Sequence, residues 1–488
     1  MAVATAPPPA TTDPVGPPAG GLAAAHRRFL PAGWAVTAMI AGYPLWWLLG
    51  LGGVIWLVLA LPMAAWLVAQ RHLQLPRGFP LYAVFLCFVA ASVVQIDSGE
   101  RLAGYLLRGS WYLAAGILWL YLANTEAKIG VRRLVGMVVV LWLASVVGGW
   151  LGILLPHVEF ASPVTSLLPA NVADNELVHS MITPGFAEVQ HSFTGVLTRP
   201  KAPYFYTNGW GSAMALLTPF AIGAMTVPGI RPSRRVIEVG LIASVIPILL
   251  SLNRGLWVLL TLGALYTVLR RSRHSRSRGL LYVLLGLVLV GTLVVATPLG
   301  DPVRDALGSR TADSNERRTI LYEETISRTS ESPFVGHGAP RPSEETAQSV
   351  GTHGQFWMVM FSHGFIAAGL WLTMFGVLVW RTRNPTTDLG MAMHVVLVLG
   401  LLEMLFYGQI PHQLFIVVMA ASVAYREARV PAAPGSGTIR APRIRPRSPS
   451  ASPPAGPGSR PIRHCPCSTL GGAVCCALTL DHCLVLAR

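Results

Sequence analysis

Residues 251–260 read SLNRGLWVLL, which places a guanidinium, Arg254, between the apolar runs VIEVGLIASVIPILL and TLGALYTVL. An arginine at membrane depth costs a few kcal/mol or more unless it is paired or hydrated, so this position asks for an anion. Arg101, Arg108, Arg199 and Lys201 are further cations at the ends of apolar runs, and Arg317 and Arg318 lie in a long polar connection. Taken singly, each is as readily a side chain snorkelling to lipid headgroups. Gathered on one face, they suit an anionic ligand. A diphosphate is a natural candidate, because arginine forks pair with phosphate oxygens. His353 stands at the mouth of a later apolar run. An imidazole there titrates near neutral pH and takes a proton from a hydroxyl, or serves only as an interfacial hydrogen-bonding group.

The elements that must hold these residues are membrane spans. Of 488 residues, 52% are hydrophobic and 12% charged, against about a quarter charged in soluble domains. Mean hydropathy is +0.53. Apolar runs predict twelve spans at about 33–50, 52–69, 79–96, 102–123, 134–155, 209–228, 236–251, 255–269, 279–297, 354–380, 388–407 and 411–425, most near the ~20 residues that cross a bilayer as helix. The expected fold is an all-α polytopic membrane protein. A large outer loop carrying short helices joins spans nine and ten. The amino-terminal 1–32 is Pro/Ala/Gly-rich and reads as disordered, with no pattern of a cleaved signal peptide. His26, Arg27 and Arg28 flank the first span. The spanning domain is 33–425. The basic tail, 426–488, holds five of the six cysteines, in spacings that fit no zinc site. The sixth, Cys87, reads as a small packing residue.

The net charge of +15 is then a statement about loops, not about nucleic acid. With the amino end inside, every inner connection is basic: 70–78 (Arg71, Arg77), 124–133 (Lys128, Arg132, Arg133), 229–235 (Arg231, Arg234, Arg235), 270–278 (five arginines), 381–387 (Arg381, Arg383) and the tail from Arg426. Both termini are therefore expected in the cytoplasm. The long connections 156–208 and 298–353 fall outside, as do the ends carrying Arg108, Arg199 and Arg254.

In the second of these loops, residues 315–329 form an expected amphipathic helix with Ile320, Leu321, Thr325 and Ile326 on one face. Pro333 and Gly336 end it in the turn VGHG. The chain thus runs S-x-x-R-G at 251–255, R-x-x-x-Y from Arg318 to Tyr322, P-F-V-G-H-G at 333–338, and His353 eleven residues before Gly364. RPKAPYFYTNGWGSAMALLTPF, 199–220, precedes them. This order resembles the O-antigen ligase and O-antigen polymerase superfamily of bacterial envelope glycosyltransferases, over roughly 195–410.

The resemblance implies transfer of a glycan from a polyprenyl-diphosphate carrier to an acceptor at the outer face of the bacterial cytoplasmic membrane. It implies no metal and no other cofactor, and the chain has no D-x-D motif. Arg254 and Arg318 would neutralise the departing diphosphate, with Arg199 and Arg108 assisting. His353 would orient or deprotonate the acceptor hydroxyl. Arg317, Lys201, Tyr322 and His337 complete the expected substrate-binding set, His337 as an acceptor-entrance residue or merely a turn histidine. Partners would be the carrier-linked glycan, a lipid, glycan or protein acceptor, and membrane lipids. Glu403 could pair with one of the arginines. Tyr204, Phe205, Tyr206 and Trp210 read as an interfacial aromatic belt or a sugar platform. A repeat-unit polymerase of the same superfamily would share these motifs. A transporter is the alternative from another class, against which stand the lack of a clear repeat between 33–228 and 236–425 and charges confined to one face. A structural scaffold is the third reading.

Overall fold

The computed structural model describes residues 31, 33–169, 173, 175–192, 195–272, 318–346 and 348–429. All fall in one compact unit, Met1–Ala432. The expected amino-terminal segment before residue 31, the span at 279–297, Arg317 and the Cys-containing tail lie outside the described residues.

The described chain is mostly helical. In order, the helices are α1 (Trp34–Ile40), α2 (Tyr43–Leu48), α3 (Ile55–Val68), α4 (Phe79–Ala91), α5 (Gly99–Asn124), α6 (Val131–Leu154), α7 (Glu176–Ile182), α8 (Thr207–Ala224), α9 (Arg234–Leu250), α10 (Arg254–Ser272), α11 over 318–329, α12 (Gln355–Thr382), α13 (Asp388–Glu403) and α14 (His412–Glu427). Among the described residues α5, α6 and α12 are long and apolar enough to cross a membrane. Two antiparallel hairpins, β1 (Ala187–Ser192) with β2 (Gly195–Pro200) and β3 (Arg341–Pro342) with β4 (Ser349–Val350), qualify the all-α expectation.

The centre of the bundle is α8, which packs on α6, α10, α13 and α14. Its sequence TNGWGSAMALLTPFAIGA supplies the small residues that let backbones approach closely. A Cβ at Gly223 would stand 2.5 Å from that of Ala392 on α13.

Two expected single spans are broken. The first is split into α1 and α2 at Ala41 and Gly42, where Pro44 starts the second piece and the Trp46 indole donates to Ala38 O (2.8 Å). The second break lies inside α12, where Gly364 has φ +87 and ψ 173. The freed carbonyls of Phe361 and Ser362 accept from the N–H groups of His337 and Gly338, each at 2.8 Å, and Phe365 N–H donates to Pro333 O (2.9 Å). The P-F-V-G-H-G segment is therefore spliced into the helix, and its backbone satisfies groups that the break leaves open.

Two smaller expectations also change. Leu321 and Thr325 of α11 are buried, but Ile326 is 45% exposed, because the buried stripe continues through Thr329 instead. Cys87 is exposed on α4, not packed inside.

Candidate active site

Ser251, Leu252 and Asn253 turn the chain from α9 into α10, with Leu252 at φ +48. A non-glycine residue there stores strain of order 1–3 kcal/mol, tolerated only where the surroundings dictate it. Asn253, buried, supplies that constraint: its Oδ1 accepts the Leu256 N–H (3.1 Å) and so caps α10. Any side chain at Gly211 of α8 would collide with the Asn253 amide. Arg254 is thereby fixed as the first residue of α10, half-buried at the positive end of the helix dipole. Arg199, at the end of β2, donates from Nε to Ser251 O (2.9 Å), which brings a second cation to the same turn.

His353 is placed by the start of α12. The first N–H groups of a helix have no partner within it. Here Gln355 and Phe356 donate to Tyr407 O (2.8 Å) and Met404 O (3.0 Å), from the connection between α13 and α14. Gly354 has φ +129, and a Cβ there would stand 2.7 Å from Leu405 O, so only glycine follows the histidine without strain. The Thr352 hydroxyl spends its one proton on Ser349 O (2.7 Å) and must therefore accept from His353 Nδ1, 3.1 Å away. That fixes the tautomer with the proton on Nδ1 and the lone pair on Nε2. Burial, and then the positive charge of Arg318, hold the His353 pKa below its ordinary value, so the imidazole is neutral at neutral pH.

Arg318 opens the described part of α11, and Tyr322 follows one turn later. The Tyr322 hydroxyl lies 3.3 Å from both His353 O and Leu405 O, and its ring stacks on Trp357 at 4.3 Å and 16°. Trp357 donates to the same Leu405 carbonyl (3.2 Å). The charges of Arg199 and Arg318 both reach the Tyr407 hydroxyl, which donates to Asn253 Oδ1. Arg199, Arg254, Arg318 and His353 thus converge on one end of the bundle. Such an arrangement can neutralise an anion and accept a proton beside it.

Residues 239–372 match the O-antigen ligase family model. The match supports the O-antigen ligase and polymerase superfamily, as the sequence resemblance implied. None of the curated proteins matches the chain. The O-antigen ligase domain contains Arg254, Arg318, Tyr322, His337 and His353. The family and the apolar helices together indicate an integral membrane protein of bacteria. The family acts in general on a lipid-linked glycan and an acceptor.

Other expected site residues lie elsewhere. Arg108, on α5 outside the O-antigen ligase domain, is half-buried and close enough to Tyr112, Tyr206 and His363 for its charge to act on them. Lys201 pairs with Glu159 (3.2 Å) and Arg101 with Asp97 (2.5 Å), so acids account for these two cations. His337 is 5% exposed and spends Nε2 on Arg328 O (2.8 Å), which makes it part of the splice. Among the described residues Glu403 meets no arginine. It is fully buried and accepts from Ser212 (2.8 Å) and Gln409 (3.3 Å), because α8 and the α13–α14 connection enclose it. Tyr204, Phe205 and Trp210 are buried, with Tyr204 on Ser145 Oγ and Trp210 on Ser145 O, and form no surface belt. Only Tyr206 of that group is exposed.

Sequence reasoning missed Thr352, Tyr407 and the capping role of Asn253. A threonine beside a candidate base and an asparagine before a helix start are readable signals. Tyr407 had none, because its partners lie 52 and 154 residues away along the chain.

Proposed function

We propose that this protein transfers a glycan from a polyprenyl-diphosphate carrier to an acceptor hydroxyl at the outer face of the bacterial cytoplasmic membrane, without a metal. The acceptor oxygen attacks the anomeric carbon while the bond from that carbon to the diphosphate oxygen breaks. The electron pair leaves with the diphosphate. The hydroxyl proton passes to Nε2 of His353, and the anomeric centre inverts. Arg254 and Arg318 neutralise the leaving group, with Arg199 in support and Arg108 further along the same end. Arg317, Lys201, Tyr322 and His337 are assigned no reacting atom.

The observation that carries the reading is that Arg254, Arg318 and His353 all fall within the matched segment 239–372, where the Arg318 charge acts on His353 and Tyr407 bonds to residues next to Arg254 and His353. The test uses the purified protein in liposomes with a polyprenyl-diphosphate oligosaccharide, following release of carrier diphosphate with EDTA present. Arg254→Ala and His353→Ala are each expected to lower release by ~10²–10³ with the fold intact, the usual cost of one charge-stabilising contact. Release unchanged by either substitution refutes the site. A product in which the glycan has joined a second carrier-linked glycan identifies a repeat-unit polymerase.

A further inference from the structure

Arg254 opens α10 and His353 lies two residues before α12, so their separation depends on how the two helix starts are held. One residue touches both helix starts. The Tyr407 hydroxyl donates to Asn253 Oδ1, the same oxygen that caps α10 immediately before Arg254. The Tyr407 carbonyl accepts the Gln355 N–H (2.8 Å), the first amide of α12, two residues after His353. The ring is held from a third side: a Cβ at Gly255 would run into the Tyr407 hydroxyl and stand 2.7 Å from Cζ. Gly255 has no left-handed φ, so glycine is required there for space and not for backbone conformation. Tyr407 is itself fixed, since its N–H donates to Glu403 O (2.8 Å) and the residue is 6% exposed.

Resting on the function proposed above, we infer that Tyr407 is a positioning residue that sets Arg254 against His353 by clamping the amino ends of α10 and α12 together. It forms no bond to substrate. Its hydroxyl holds the Asn253 side chain in its capping orientation, and the buried Asn253 Nδ2, which has no hydrogen-bond partner, cannot anchor that side chain instead. Without the hydroxyl, Asn253 keeps a single hydrogen bond on Oδ1, and the cap and Arg254 gain freedom relative to α12. Misplacement of a reacting group by ~1 Å costs up to ~10²-fold in rate.

The experiment compares wild type, Tyr407→Phe and Gly255→Ala, all full chain in liposomes, by two independent measurements. The first is amide hydrogen exchange. In both variants the peptides covering 252–258 and 353–358 are expected to exchange faster, while those covering α5 and α6 keep wild-type rates. The second is glycan transfer, with kcat expected to fall ~10–100-fold and KM for the carrier-linked donor unchanged. Joining the two substitutions is expected to cost no more than the worse of them alone, because both loosen one contact. Wild-type exchange in both peptides overturns the inference. So does faster exchange throughout the protein, which marks a merely structural tyrosine, or a loss expressed in KM alone. If wild type releases no carrier diphosphate, the functional reading fails, and the exchange measurement still decides whether Tyr407 clamps the two helices. Tyr425→Phe serves as control. It deletes a hydroxyl bonded to Arg77 O (3.1 Å) far along α14 and is expected to leave both measurements unchanged.

Discussion

At the scale of single residues, the candidate base depends on a neighbour with no charge. Thr352 accepts from Nδ1 of His353, so it selects the tautomer whose Nε2 can take a proton. Thr352→Val keeps the shape and removes the acceptor. Transfer is expected to fall by ~10-fold or more, a part of the ~10²–10⁴ that general-base assistance supplies, and Thr352→Ser is expected to restore it. The same imidazole predicts a pH dependence. Burial first, and the Arg318 charge second, depress its pKa below 6.5. The neutral, working form therefore persists below pH 6.5, and the rate is lost only as pH falls through that lowered value. Arg318→Gln removes the cation that disfavours the imidazolium, so the acid limb of its residual activity is expected to move to higher pH. A pH–kcat/KM profile checks both. An acid limb at or above 6.5 in the wild type, or no movement in the variant, would refute the coupling.

At the scale of elements, the splice in α12 decides where α11 lies. His337 holds the carboxyl end of α11 through Arg328 O, while its own backbone N–H is bound by Phe361 O in the broken helix. Gly364→Ala meets two obstacles at once: φ +87, and a Cβ 2.6 Å from Pro333 O. Stability is expected to fall by about 1–3 kcal/mol, read as a lower midpoint of thermal unfolding in detergent. Protease sensitivity is expected to rise first in 331–346, because the loop loses its dock. Here the limits of sequence reading are visible. The apolar runs located α3 to α6, α8 to α10 and α12 to α14, since burial and membrane length both act on contiguous residues. The break at Gly364 was not legible, because a helix that opens to receive another segment is decided by that segment. Glycine at 336 and 364 was the only trace. Motif order singled out Arg254, Arg318 and His353, all of which fall in the segment matched by the family model. Asn253 was seen only as the residue before the arginine, and its capping role needs Tyr407 and Gly211 from elsewhere.

At the scale of the whole molecule, charges that read as topology signals also hold the bundle together. Arg429 pairs with Glu126 (2.6 Å) and Arg271 with Asp388 (2.5 Å), so basic connections far apart in sequence share one end. Arg426 goes further. It is 6% exposed and donates to Leu122 O and Ile129 O, each at 2.5 Å, tying the end of α14 to the last turn of α5 and to the connection that follows it. The other end of α14 follows the connection that carries Tyr407. Sixteen residues of helix separate the two ends by about 24 Å. Arg426→Met keeps the aliphatic stem and strands two buried carbonyls. Each unsatisfied group costs about 1–3 kcal/mol, so the variant is expected to lose about 2–6 kcal/mol of stability. Arg426→Lys should recover part of this, because an ammonium can reach one carbonyl but lacks the fork that spans both. While the protein remains folded, carrier-diphosphate release at low temperature should match wild type, since both carbonyls lie at the end of the bundle away from Arg254 and His353. Thermal unfolding and turnover, measured on the same preparations, separate these effects. An Arg426→Met protein that melts like wild type, or one that keeps its stability and loses turnover, would show that this arginine has another role than joining α14 to its neighbours.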